Sequence, residues 1–153
     1  MTPRLTKKER EVEAVMRASR ALVAIVARSF AEADVAITLQ QWRVLVIVIN
    51  FGPMTPGAVA KWMELHPSTA TRLCDGLVRA KLLDRREDPT DRRRMVLSLT
   101  GSGQTLVETL HGYRRQAIAN ILAEMPAATR SQLAKGMQDF ADAAGDHPEQ
   151  FIH

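Results

Sequence analysis

Residues 66–99 read HPSTATRLCDGLVRAKLLDRREDPTDRRRMVLSL, and their punctuation decides the fold. His66-Pro67-Ser68-Thr69 is a helix start, because proline at the first helical position gives up only an N–H that has no partner there. Ala70, Leu73, Cys74, Leu77 and Val78 then recur at helical spacing as far as about Lys81, with Ser68, Thr69, Thr71, Arg72, Asp75 and Arg79 on the other face. Residues 82–86 read as a strand and 87–93 as a polar loop. Residues 94–99 return as a second strand, Met95, Leu97 and Leu99 alternating with Val96 and Ser98.

Upstream of this stretch, Thr55-Pro56 starts a shorter helix whose apolar face is Ala58, Val59, Trp62 and Met63. Two short helices with a tight join make a helix-turn-helix, and the basic hairpin that follows at once makes it a winged helix. Residues 38–50 are ambiguous. The run from Val44 to Ile49 has strand propensity. Thr38 and Gln41, however, form a capping box, and Asn50 and Gly52 suit a helix stop. We read a fully buried helix.

Further out, residues 8–33 form one amphipathic helix with Val12, Val15, Met16, Leu22, Val26 and Phe30 in its stripe. Thr100-Gly101-Ser102-Gly103 ends the wing, and a long helix follows to about Glu124. Its stripe is Leu106, Val107, Leu110, Tyr113, Ala117, Ile118, Ile121 and Leu122. Pro126 begins a last helix with Leu133, Met137 and Phe140, ending near Gly145. The expected fold is mainly α with a small β-hairpin wing: a winged helix-turn-helix over about 38–100, flanked by long helices at about 8–33 and 101–144, in one domain of 153 residues. The outer helices carry more apolar stripe than one small core needs, so they are expected to pack against a second subunit.

Composition narrows the function. Apolar residues make up 46 % of the chain and charged residues 25 %, as in an ordinary globular protein. The net charge is +4 and the pI about 9.7, which makes nucleic acid a candidate partner. Between residues 61 and 100 there are nine Lys or Arg against six Asp or Glu, and Arg92, Arg93 and Arg94 are consecutive. Charge alone fits a solvated basic loop equally well. Residues 1–10 are polar with no apolar segment of signal-peptide type after them, and the longest apolar runs are too short to span a bilayer. The protein is expected to be cytoplasmic, with no membrane partner. The single Cys74 lies on an apolar stripe and reads as a small buried hydrophobe. His66, His111, His147 and His153 have no metal-ligand spacing. No nucleophile–base pair, phosphate loop or carboxylate pair stands out, so neither an enzyme nor a cofactor is expected.

A recognition helix needs short polar groups in its first turns. Ser68, Thr69 and Thr71 can donate to phosphates or touch thymine methyls, and Arg72 can grip guanine O6 and N7. A wing needs a long cation for the narrow minor groove, and Arg93 is the best candidate. Arg92 and Arg94 serve the phosphate backbone or the hairpin base. Double-stranded DNA is therefore the expected partner. The alternative is a winged-helix module for protein–protein contact, with the basic wing incidental.

Three stretches resemble the multiple antibiotic resistance regulator (MarR) family of bacterial transcription factors. Leu39-Gln40-Gln41-Trp42-Arg43-Val44-Leu45 resembles that family's entry to its second helix. Pro67-Ser68-Thr69-Ala70-Thr71-Arg72-Leu73 resembles its recognition helix. Asp88-Pro89-Thr90-Asp91-Arg92-Arg93, followed by Leu97-Ser98-Leu99-Thr100, resembles its wing. The resemblance implies a homodimer with interlocked terminal helices and a pseudo-palindromic operator, usually repressed. By the family's Asp-x-Arg pattern, Asp91 orients Arg93. Many relatives release DNA when a small aromatic or amphipathic acid binds between the dimerisation helices and the winged region. Met16, Arg17, Trp42, His111 and Tyr113 are the candidates to line such a pocket here, though the same residues also fit a helical core with one polar rim. The chain departs from the family at three places. Glu64 stands where such turns often carry Gly, His66 replaces the usual Ser before Pro67, and Gly76 sits inside the recognition helix, where it costs about 1 kcal/mol relative to Ala.

Overall fold

Threonine opens each of the first three helices. In the computed structural model, which describes residues 5–34 and 36–145, Thr6 and Thr38 form reciprocal capping boxes with Glu9 and Gln41, and Thr55 caps through Ala58 N–H. The elements run α1 (Lys7–Glu32), α2 (Leu39–Phe51), α3 (Pro56–Met63), α4 (Pro67–Arg79), β1 (Leu83–Glu87), β2 (Met95–Leu99), α5 (Gly101–Ala123) and α6 (Ala127–Ala143). The ambiguous run is helical. Val44 and Leu45 are fully buried and Val48 nearly so, so the cap and burial outweigh strand propensity, but the helix is not buried all round as expected: Leu39 and Phe51 at its ends are exposed.

Two compact units emerge. One takes α1 together with α5 from Leu110 onward, and the other takes residues 36–109 with α6. In the second unit, α3 and α2 pack on α4. Its buried core comprises Leu45 and Val48 of α2, Val59, Ala60 and Met63 of α3, Ala70, Cys74 and Leu77 of α4, and Leu83 and Leu97 of the wing. At the surface the Phe51 and Trp62 rings stack with centroids 4.1 Å apart and joint α2 to α3.

The two turns around α4 share one device. Glu64 closes α3 at φ 54°, and Leu65 N–H reaches back to the Ala60 carbonyl. Lys81 follows α4 at φ 58°, and Leu82 N–H reaches back to the Leu77 carbonyl. Both are left-handed helix stops built without glycine, at a steric cost of about 1 kcal/mol each.

The wing pairs antiparallel from Leu83 opposite Leu99 to Glu87 opposite Met95. Met54 adds a one-residue edge, exchanging two backbone hydrogen bonds with Leu97 at 2.8 and 3.2 Å. The expected alternation in β2 does not hold. Val96 and Leu97 are both buried while Met95 is exposed, because both faces of β2 are covered at that point. Thr100 ties the exit of the wing to the end of α4, its hydroxyl donating to the Lys81 carbonyl at 2.7 Å. Gly103 then passes so close to Leu82 that a Cβ would lie 2.1 Å from the Leu82 carbonyl oxygen, so this turn of α5 admits only glycine. Among the described residues, no helix is long and apolar enough to cross a membrane.

Candidate nucleic-acid interface

The exposed face of α4 begins with a cap of unusual chemistry. Pro67 takes the first helical position, and the Nδ1 of His66 accepts from Ser68 N–H at 3.3 Å. The same nitrogen lies 2.8 Å from Ser68 Oγ. An imidazole thus does the work that Ser or Asp usually does. Ser68, Thr71 and Arg72 are exposed and Thr69 is half-buried. The Thr71 hydroxyl donates to the Pro67 carbonyl at 2.9 Å, so its proton is already engaged within the helix. Arg72 Nε lies 3.5 Å from the Ser68 carbonyl, so its guanidinium stays near the first turn.

Gly76 lies on the other side of this helix. A Cβ there would sit 2.9 Å from Gln41 Nε2. That amide is held by the capping box, in which Gln41 Oε1 accepts from Thr38 N–H at 2.9 Å. The helix-weakening glycine is therefore the clearance that lets α2 and α4 approach.

Asp88 organises the wing tip. Its carboxylate accepts from the Thr90 hydroxyl at 2.7 Å and from Thr90 N–H at 2.9 Å. These bonds, and more weakly Arg94, hold its carboxyl below the usual carboxylate range. Asp91 accepts from the backbone N–H of Arg93 at 3.0 Å, so it reaches Arg93 through the main chain. Arg94 lies 4.0 Å from Asp88, where the loop leaves the two strands. Arg92 and Arg93 are exposed, and neither makes an ion pair among the described residues.

The two candidate elements are joined directly. Arg85 of β1 pairs with Asp75 of α4. Sequence reading missed this pair, the His66 cap and the Asp88–Thr90 turn. Only the last has a local signal, an Asp followed two residues later by Thr.

The candidate pocket residues are distributed over both units. Met16 and Arg17 are exposed on α1, and Tyr113 is exposed and His111 half-buried on α5. Trp42 is buried in the winged unit. Burial, aided by Arg114 and Arg115, pushes the His111 imidazole down from its ordinary value, so at neutral pH it offers a hydrogen bond rather than a cation. Cys74 is fully buried, and burial with Asp75 beside it raises the thiol to about 11.

Residues 37–94 match the family model described as the MarR family. An uncharacterized HTH-type transcriptional regulator of Mycobacterium bovis is 32 % identical over 78 % of this chain and 80 % of its own. The HTH-type transcriptional repressor MdtR of Bacillus subtilis is 29 % identical over 74 % of each chain. Among solved structures, RV1404 from Mycobacterium tuberculosis is 36 % identical and superposes with a TM-score of 0.83, covering 96 % of this chain and 100 % of that one.

Proposed function

The chain belongs to the MarR family and is a DNA-binding transcriptional regulator, and from that premise we propose that it is a homodimeric repressor of a pseudo-palindromic operator. The first turns of α4, with Ser68, Thr69, Thr71 and Arg72, enter the major groove. Arg93 at the wing enters the minor groove, while Arg92 and Arg94 meet phosphates or brace the hairpin. One observation carries this reading: an exposed polar helix face and an exposed arginine tip sit on two elements pinned together by Asp75 and Arg85. Similarity to a Bacillus subtilis repressor supports repression over activation.

The helices at about 8–33 and 101–144 serve dimerisation, and about 38–100 reads DNA. Val12, Val15, Met16 and Leu22 of α1, Ile118 and Ile121 of α5, and Leu133, Met137 and Phe140 of α6 are large, apolar and exposed in the single chain. Surface of that kind marks an interface. A small aromatic acid is the proposed effector, with Arg17 as its cation and His111 as a neutral donor. It relieves repression only through a preference for the conformation that fits DNA less well. Calorimetry with a panel of aromatic acids tests this, and an absence of both heat and any change in DNA affinity removes the effector.

Duplexes selected by the purified protein from genomic fragments test the central claim. Affinity is expected to fall by orders of magnitude between about 50 and about 200 mM salt, because the counterions displaced by phosphate-bound arginines gain less entropy on release into more concentrated salt. A chain without salt-dependent duplex affinity would instead be a protein-contact module.

A further inference from the structure

Thr90, Asp91 and Arg94 of the wing loop all fasten to Asp88. One carboxylate oxygen, Oδ1, accepts from the N–H and the hydroxyl of Thr90. The other, Oδ2, lies 4.0 Å from Nη1 of Arg94. The main chain adds its own ties: Asp88 N–H donates to the Arg94 carbonyl at 2.9 Å, and the Asp88 carbonyl accepts from Asp91 N–H at 3.2 Å. The loop therefore closes on Asp88 through main chain and side chain alike. Asp91, held by the first of these, in turn accepts Arg93 N–H at 3.0 Å.

We infer that Asp88 is the positioning residue of the wing: it holds the loop in the arc that presents Arg92 and Arg93 to DNA, and it holds Arg94 back as a brace. A loose loop would offer its arginines in many directions, and each would have to be ordered as DNA binds, which costs affinity. Here the ordering precedes DNA. Asp88 fixes Thr90 and Asp91, Asp91 fixes Arg93, and the two arginines between Asp91 and Arg94 are left without an acidic partner among the described residues. Arg94, directed to Asp88, closes the loop instead of extending it. Of the three consecutive arginines, the first two then carry the wing's contacts.

A wing acid that faced phosphate would oppose binding by like charge. The Asp88 side chain is only 14 % exposed, with the Arg94 guanidinium beside it, so its charge is covered and balanced within the loop. The Arg94 side of that pair is open to solvent, and its worth lies in direction more than in energy. The inference rests on the DNA-contact reading above.

The test uses a duplex selected by the wild type, a copy with G·C in place of A·T in the flanks of each half-site, and isotherms over a range of salt. The wild type is expected to prefer the A·T flanks, because a narrow minor groove attracts arginine. Asp88→Ala removes both side-chain ties. It is expected to weaken binding by about tenfold and to erase the flank preference, while the single-base preferences set by α4 and the melting temperature hold. Asp88→Asn keeps an oxygen for Thr90 and drops the charge. It is expected to keep the flank preference and to steepen the salt dependence by about one charge per subunit, as Arg94 joins the phosphate contacts. Adding Arg94→Gln to Asp88→Asn is expected to return the slope to the wild-type value. A slope that stays steep in that double variant overturns the brace. A flank preference that survives Asp88→Ala, or a loss of affinity that only follows a loss of thermal stability, overturns the positioning role while DNA binding stands. So does a wild type that binds duplex but ignores the flanks. No duplex affinity in the wild type overturns both readings.

Discussion

Arg85, the middle residue of the first wing strand, is paired with Asp75 on the recognition helix. The two are ten residues apart across the turn at Lys81. Without Arg85, Asp75 would present an unpaired carboxylate on an element proposed to face phosphates, and the wing would lose a fixed angle to the helix.

Arg85→Ala is therefore expected to weaken duplex binding by about tenfold while costing no more than about 1 kcal/mol of stability, since both groups are partly exposed. The exchange Asp75→Arg with Arg85→Asp is expected to recover part of the loss. Isotherms with thermal melts check this. Equal losses in the single variants and the exchanged pair would show that the pair does not set the geometry.

Cys74 supplies a chemical check on the core. Its thiol is raised to about 11, first by burial, then by Asp75, with Arg85 opposing. At pH 8 almost none is thiolate, and the thiolate is the nucleophile. A chromogenic disulfide reagent is expected to react at the rate of unfolding in native protein and at once in denaturant. Rapid native reaction would place Cys74 outside the core.

Gly76 and Gln41 make a packing prediction. Helix propensity alone says Gly76→Ala gains about 1 kcal/mol. The new methyl group would instead press on an amide that the Thr38 cap holds in place. The expected result is no gain, or a loss. Gln41→Ala should restore the gain, giving a coupling of about 0.5–1 kcal/mol in a double-mutant cycle by chemical denaturation. Additive effects would mean that Gln41 moves aside freely.

What could be read from the sequence was local. Thr38 with Gln41, Thr55 with Pro56, and Pro67 are contacts within four residues, and each marks its helix start as expected. The left-handed turn was legible at Glu64 because a tight join was already implied, and its twin at Lys81 was not. The His66 cap escaped because imidazole is not among the usual capping groups, and its geometry depends on Nδ1 facing Ser68. Met54 joins the wing as a single residue, which has no periodicity to detect. The burial of Val96 beside Leu97 is not legible in the alternation of β2, which says nothing about what covers the second side of a hairpin. Asp75 and Arg85 meet only once strand packs on helix.

The apolar stripes of α1, α5 and α6 predict a dimer that sedimentation equilibrium will find at micromolar concentration. Leu133→Glu with Met137→Glu, both on the exposed face of α6, is expected to shift it toward monomer and to reduce operator affinity in step. A monomeric wild type would sink the dimer, and with it the two-fold operator.

The last prediction separates two arginines. Arg72 stays near the first turn of α4, which the proposed docking brings within reach of base edges. Arg93 is exposed at the wing, where groove width matters more than base identity. Arg72→Ala is expected to cost about 1–3 kcal/mol and to relax the preference at one base pair of each half-site. Arg93→Ala is expected to weaken binding to many sequences alike and to lower the salt slope by about one charge per subunit. Asp91→Ala should resemble a milder Arg93→Ala, because it frees the backbone N–H that fixes Arg93 but keeps the charge. Isotherms on the selected duplex and its single-base variants, at two salt concentrations, distinguish the three. Intact low-salt affinity in Arg93→Ala would leave the hairpin as a structural wing that does not touch DNA, and base reading would then rest on α4 alone.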